Sequence, residues 1–522
     1  MVFLRGLLVL LPVLATSFAQ IRRPNANIPR PPALRPLTGL DGPVYHVSTG
    51  TVLPPLNTTY YFDQLIDHTN PSLGTFKQRY WHTWEWYEEG DTGYLGNRSI
   101  NGQLAQQEHG ATIVLEHRYY GLSNPFSDMS DRSLKYHTIQ QAIDDLEYFA
   151  DNVKLPMPGG DNVGPTEAPW VLIGGSYSGA LTSWTMVNKP GVFRAGYASS
   201  AVVEAMVDFW QYFEPVRQNM PQNCSADVEA VIAHIDNVFT SGNQSQINHI
   251  KELFGLSELT HLDDVAGALR YNLWDWQSLA PDTGPNSTFF EFCDALEVKN
   301  GTSAPVSGWG VDHALPAWGA FWTNGYLDNL CSDSIADCLG TYNMSNQLYT
   351  NISIGNDNRA WTWIVCNNVG WYQESPPAGY PSVVTQLVKP SYDERQCAYF
   401  FPETFPNGSL PVPNVAQTNV AYDGWGVQVN QLFFANGRRD PWKYATVSSP
   451  DTFVPSTAEQ PIALSDGFHC SDLVTANGEA DATVKAVQQQ GLQAIHGWLQ
   501  GFKPAKRETR KVSRVEYERE ML

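Results

Sequence analysis

The stretch that most restricts the architecture of this chain is Pro169-Trp170-Val171-Leu172-Ile173-Gly174, followed at once by Gly175-Ser176-Tyr177-Ser178-Gly179. Pro169 to Gly174 is a short apolar run that reads as a buried strand, and Ala180 to Val187 reads as a helix. A strand that passes through a glycine-lined turn straight into a helix is a nucleophile elbow. Small neighbours are required because the turn is crowded, and the central serine is pushed into a strained backbone with its Oγ exposed. The run departs from G-x-S-x-G, since Ser178 stands two residues after Ser176 and glycine follows one later. Serine is still small enough for the turn. The competing readings are a plain Gly-Ser loop, or Ser178 as the reactive serine with Ser176 instead of glycine two residues before it.

The flanking pattern extends this element into a sheet. Ala111 to Glu116 reads as a strand, and Thr138 to Asn152 as a helix with Ile139, Ala142, Ile143, Leu146 and Phe149 on one stripe. Phe193 to Ser199 reads as the next strand. Alternating strands and helices predict a parallel sheet with crossover helices, the α/β class. From about Glu204 the character changes. Residues 205–405 show helical segments such as Ala226 to Phe239 and Asn248 to Phe254, few strand patterns, and most of the cysteines. They read as a largely helical insertion. The sheet pattern returns at Gln428 to Ala435 and at Gln460 to Leu464, and one helix over Ala480 to Leu499 closes the globular part.

A serine hydroxyl needs a base to become a nucleophile. In this strand order the acid and the histidine follow the serine, each just after a late strand. Asp440 follows the first late strand in Asn436-Gly437-Arg438-Arg439-Asp440-Pro441-Trp442. His469 follows the second in Gly467-Phe468-His469-Cys470. Asp440 would orient the imidazole and stabilise its charged form, and His469 would take the Ser176 proton. A turn aspartate and a loop histidine are the bland readings. Asp423, Asp466 and His496 are competitors, but Asp466 lies too close to His469 to come from a separate strand end, and His496 falls in the closing helix.

Met1 to Ala19 combines one arginine, an apolar run and small residues at Ser17 and Ala19, which reads as a secretory signal peptide. Residues 20–56 form a Pro-rich lead-in, and 503–522 a charged tail. No later stretch is long and apolar enough to span a bilayer, so no membrane contact is expected. Sequons at Asn57, Asn97, Asn223, Asn243, Asn286, Asn300, Asn343, Asn351 and Asn407 suit a glycosylated exported protein. A net charge of −21 repels phosphate backbones and excludes nucleic acid as a natural partner, and it suits solubility in acid. In an oxidising compartment six of the seven cysteines can pair, with Cys470 left over. That thiol is either free or joins two copies, so a homodimer stays open. Neither C-x-x-C nor H-E-x-x-H occurs, so no metal and no cofactor are expected.

These residues resemble the Pro-X carboxypeptidase family of serine peptidases, which includes dipeptidyl peptidase II and, most similar here, the secreted fungal acid prolyl endopeptidases. The marks are Phe62-Asp63-Gln64, Thr75 to Trp81, Glu116-His117-Arg118-Tyr119-Tyr120-Gly121, Gly174 to Gly179, Asp208-Phe209-Trp210-Gln211-Tyr212, Asp440-Pro441-Trp442 and His469-Cys470-Ser471-Asp472-Leu473. The resemblance implies an α/β-hydrolase domain from residues 57–204 and 406–502, with 205–405 as a disulfide-containing helical cap. It implies a secreted (alternatively vacuolar or lysosomal) peptidase that cleaves proline-containing peptides after proline at acid pH. Ser176, Asp440 and His469 would be its triad, the Tyr177 N–H an oxyanion donor, and Trp442 part of a proline pocket. One departure stands out. The family has an apolar strand and a Gly-rich loop after the Tyr80-Trp81 segment, and that loop supplies the second oxyanion donor. Here Tyr80-Trp81 runs on to Tyr94-Leu95 without one. The departure has two explanations, a mis-spliced gene model or a catalytically impaired paralogue; a further alternative, from the Ser-His-Asp logic alone, is an esterase on the same scaffold.

Overall fold

The computed structural model describes residues 44–86, 98–406 and 413–504. The expected signal peptide, most of the lead-in, nearly all of the tail, Tyr94-Leu95 with most of the shortened stretch before them, Asn97 and Asn407 lie outside the described residues. β1 (Thr59–Leu65) and β2 (Thr75–Thr83) pair antiparallel, from Thr59 opposite Trp81 to Leu65 opposite Thr75. α1 (Ile100–Glu108) begins at Ser99, whose Oγ accepts the Gly102 N–H. β3 (Thr112–Leu115) follows, then α2 (Ile139–Asn152), capped by the Thr138 side chain and burying Ile139, Ala142, Ile143 and Phe149 along the expected stripe. β4 (Val171–Gly175), α3 (Tyr177–Asn188) and β5 (Ala195–Ser199) form the strand–turn–helix–strand unit.

The chain then enters the insertion with β6 (Met206–Asp208). Its main helices are α4 (Gln222–Ser241), α5 (Gln244–Leu253), α6 (Leu262–Leu269), α7 (Thr288–Glu297), α8 (Val311–Phe321) and α9 (Asp357–Ile364). β7 (Gly370–Tyr372) pairs in parallel with β6, and α10 (Pro390–Phe400) follows. Disulfides Cys224–Cys293, Cys331–Cys338 and Cys366–Cys397 tie this region together, and Cys470 remains a free thiol. Cys470 is buried, which keeps it from bridging two copies. The insertion shares its core with the elbow helix: Tyr177, Leu181 and Trp184 of α3 pack in one cluster with Phe209, Tyr212 and Trp371.

The chain returns to the sheet with β8 (Leu432–Gly437) and β9 (Ile462–Ser465) and closes with α11 (Ala482–Leu499). The closing helix expected from about Ala480 is α11, which runs from Ala482 to Leu499. The Asp481 carboxylate accepts the Thr483 and Val484 N–H groups and so caps α11, while a separate turn of helix ends at Ala480.

The sheet differs from expectation in one respect. β4, β5, β8 and β9 form a four-stranded parallel sheet in the order β9-β8-β5-β4, with the α/β class as read. β3, however, is not part of it. It pairs antiparallel with β2 in a separate three-stranded sheet, because its partner strand runs the opposite way. Among the described residues no strand lies between β3 and β4. The burial pattern records the gap. β5 and β8 are buried throughout, yet Val171, Leu172 and Ile173 of β4 are only half-buried and Val114 of β3 is 42% exposed.

The antiparallel sheet is fastened to α2 by a buried ion pair. Arg118, just after β3, gives Nε–H to Asp145 Oδ2 at 2.7 Å and Nη2–H to Oδ1 at 2.5 Å, and also reaches the Leu65 and Tyr136 carbonyls. Burial pushes the Asp145 carboxyl up, but the Arg118 charge and the hydrogen bonds from Arg118 and His68 outweigh it and hold it below its usual value. Removing one partner strands a buried charge, which costs about 3–5 kcal/mol. Asp145→Ala should therefore lower the unfolding free energy by about that much in a denaturant titration.

Candidate active site

Ser176 sits between β4 and α3 with φ 61° and ψ −124°, a backbone that L residues seldom adopt. Two glycines make the turn feasible. A Cβ at Gly174 would collide with the Ser178 carbonyl, and one at Gly179 would stand 2.6 Å from the Ser199 carbonyl. The Ser176 N–H donates to that same Ser199 oxygen at 2.9 Å. Ser178, which has no positive φ, lies inside α3, and its carbonyl accepts the Thr182 hydroxyl. Ser176 is thus the serine that the strained turn presents.

The two late strands bring the other groups to it. The turn after β8 carries Asp440, and the loop after β9 carries His469. These two loops interlock: the Arg439 N–H donates to the Gly467 carbonyl, and Gly437 is so close to that carbonyl that a side chain would strike it. His469 Nδ1 lies 2.8 Å from Asp440 Oδ1, and His469 Nε2 lies 2.8 Å from Ser176 Oγ. A neutral imidazole that donates from Nδ1 to Asp440 leaves Nε2 to accept the serine proton. The three groups come from positions 176, 440 and 469 and meet in a buried site.

The electrostatics favour a stabilised imidazolium. Burial alone would push His469 down, but the Asp440 charge, the adjacent Cys470 and the hydrogen bonds outweigh it and raise it well above its ordinary value. Asp440 is itself held by the Trp442 N–H at 2.8 Å. Tyr177 occupies the first position of α3, where a backbone N–H has no acceptor within the helix, so it is available for an oxyanion beside Ser176. Trp442 is buried beside His469, with ring centroids 6.3 Å apart, and its Nε1–H is held by Gln277 Oε1.

The competing residues stand apart from this site. Asp466 pairs with Arg438 and His496 with Glu108, while Asp423 ends a helix in the left-handed conformation. Among the described residues one cluster has metal-ligand composition, Cys224, Cys293 and Glu297, but its sulfurs are joined in a disulfide and offer no thiolate. Trp442, expected at a proline pocket, belongs to a run of buried rings whose other members carry no motif. Trp442 touches Trp371, Trp371 stacks on Trp361, and Trp361 meets Tyr177, with centroids 5.7, 5.9 and 5.8 Å apart. These rings form an arc from the histidine to the residue after the serine. Trp442 was marked by its place after Asp440-Pro441; for Trp361 and Trp371 the signal was only the abundance of tryptophan, 17 in all.

Fold and site together define a serine hydrolase of the α/β-hydrolase kind. The chain belongs to the serine carboxypeptidase S28 family, which matches residues 64–490, and is thereby a serine-type peptidase. It is 36% identical to the serine protease vicPa of Bipolaris victoriae, over 86% of this chain and 90% of that one. It is 30% identical to a probable extracellular serine carboxypeptidase of Arthroderma benhamiae, over 71% of this chain and 56% of that protein. It is 26% identical to the human lysosomal Pro-X carboxypeptidase, over 92% and 95% of the two chains.

Asp440→Asn keeps the side-chain shape but favours the wrong imidazole tautomer and removes the charge that raises His469. We expect the rate of peptide hydrolysis to fall by about 10⁴-fold with the melting temperature little changed, and the acid limb of the pH profile to move to lower pH.

Proposed function

We propose that this chain is a secreted serine peptidase that hydrolyses the bond on the carboxyl side of proline through an acyl-enzyme. The observation that carries the reading is the continuous hydrogen-bonded chain Ser176–His469–Asp440 at the ends of three parallel strands. His469 would take the Ser176 proton as Oγ attacks the scissile carbonyl, then return it to the leaving amine. The Tyr177 N–H would bind the oxyanion. Trp442 packs beside His469 and is fixed by Gln277; at 1% exposure it would back a proline site from beneath, as part of the core, rather than wall it. The likeness to the Pro-X carboxypeptidase points the same way, and the likeness to the probable extracellular enzyme supports export.

A second reading has its own observation. The gap between β3 and β4 falls beside the place from which α/β-hydrolases draw their second oxyanion donor. A site without that donor is expected to turn over about 10²–10³-fold more slowly. Such a chain would still react at Ser176 but hydrolyse peptides poorly.

Both readings are tested with purified mature protein, a Z-Gly-Pro chromogenic peptide, a p-nitrophenyl ester and a fluorophosphonate label, beside Ser176→Ala. Peptide cleavage that vanishes in Ser176→Ala supports the post-proline peptidase. Labelling of Ser176 without cleavage of the peptide supports the impaired site, and rapid ester cleavage without peptide cleavage supports an esterase.

The acid side of the reading rests on buried carboxyls. Burial pushes Asp236 and Asp472 up to about 6, Glu297 up to about 7 and Glu374 up to about 10, with neighbouring carboxylates adding to the last two. A carboxyl whose folded value is raised binds its proton more tightly when folded. Its contribution is complete below its ordinary value and is lost as pH climbs toward the folded value. Buried His82, His117 and His137, held below their ordinary value, gain stability over the same window, but the more numerous raised carboxyls should prevail and the melting temperature should fall as pH is raised from about 4 to about 7. A melting temperature that rises over this range would remove the argument for acid adaptation. Activity has the opposite sense: His469 must be neutral to act as base, and because its value is raised well above the ordinary one, turnover should climb with pH while stability falls.

A further inference from the structure

His469 and Ser176 are 293 positions apart in sequence, yet their side chains meet at 2.8 Å. Their mutual placement depends on what joins the histidine loop to the strand beside the nucleophile. That junction is the end of β5. The Ser199 carbonyl receives the Ser176 N–H at 2.9 Å, and the Cys470 thiol approaches the same oxygen. The Ser199 hydroxyl donates to Asp472 Oδ1 at 2.8 Å, and the Tyr197 hydroxyl, from the same strand, donates to Oδ2 at 2.9 Å. Ser200 Oγ accepts the Cys470 N–H at 2.9 Å. Ser199 thus holds the nucleophile through its main chain and the histidine loop through its side chain. Asp472 is three residues beyond His469 and touches neither Ser176 nor the imidazole among the contacts described.

We propose that Asp472 is a positioning residue of this site, fixing His469 relative to Ser176 by tying the histidine loop to the strand end that anchors the nucleophile. Two features separate this from ordinary packing. Both carboxylate oxygens are used on one strand, Tyr197 and Ser199, so the loop is held against shift and rotation alike. The carboxyl is also kept in a fully buried place where burial pushes it up to about 6 against the pull of its two hydroxyl donors, an unfavourable setting for a group that only fills space. The Gln488 side chain holds the Asp472 carbonyl from α11, so the loop backbone is fixed from its far side as well.

The proposal rests on Ser176 and His469 being the reactive pair, and the experiment keeps the two apart. The rate constant for fluorophosphonate labelling of Ser176 is measured in the full mature chain, with kcat and KM for the Z-Gly-Pro peptide where it is cleaved. The variants are Asp472→Ala, Asp472→Asn, Ser199→Ala and Tyr197→Phe. An asparagine can still engage both hydroxyls, because these can rotate to donate or accept. We expect Asp472→Ala to lower the labelling rate and kcat about 10- to 100-fold with KM within twofold, as for a small misplacement of reacting groups. Asp472→Asn should restore most of the rate, and the two partner variants should each show an intermediate loss. An Asp472→Ala protein that folds and labels at the native rate would overturn the proposal. So would a loss that appears mainly in KM, or one that asparagine does not restore. Should Asp472→Ala fail to fold, the partner variants decide: native labelling rates in both would overturn it, and reduced rates in both would uphold it. Absence of labelling in the native protein would instead strike the assignment of Ser176 and His469 itself.

Discussion

The structure turns on a single backbone constraint. Ser176 must hold a positive φ between a strand and a helix, and nothing local favours that conformation. It persists because the surroundings are closed against every alternative. Gly174 and Gly179 admit the close approach of the Ser178 and Ser199 carbonyls, and Ser199 captures the serine N–H. The strained turn in turn aims Oγ at the loops that leave β8 and β9. Parallel strands in adjacent positions end at the same edge of a sheet, so three remote stretches of sequence deliver their side chains to one point. The helical insertion then covers that edge with tryptophan and phenylalanine, and the same rings complete the core of α3.

Much of this was legible in the sequence because the signals are local. A short apolar run meeting glycines, an aspartate just past Phe433-Phe434-Ala435 and a histidine just past Ile462-Ala463-Leu464 each report a strand end without reference to the rest of the chain. The cysteine arithmetic worked for the same reason, since six residues between 224 and 397 had few partners but one another. What could not be read were relations between distant segments. The direction of β3 depends on its partner β2, and the run Thr112–Leu115 is equally apolar in either orientation. The exact first residue of α11 was not legible, because only the Asp481 capping bonds to Thr483 and Val484 set it. Gln277 and Ser199 were invisible because a glutamine that braces a tryptophan and a serine that ends a strand carry no motif.

Charge is distributed by the same logic. The buried ion pairs are bidentate or multiply hydrogen-bonded, as with Arg118 and Asp145, or Arg270 and Asp393. Burial also favours the neutral form of Glu374 and Asp472, which face no such cation, and of Asp393 in spite of Arg270. A chain with an excess of acidic groups and a net charge of −21 thereby carries part of that charge in places where acid relieves it.

The split between the two sheets also bears on how the protein behaves in bulk. β3 and β4 each present one side on which no described strand pairs, and Val114 lies bare on the first of them. Strand edges of this kind are templates for pairing with other chains. Mutual repulsion between molecules of charge −21 opposes such contacts, and it is the part of the balance that dissolved ions weaken. Concentrated preparations should accordingly keep best in dilute buffer, and added salt should bring molecules together edge to edge.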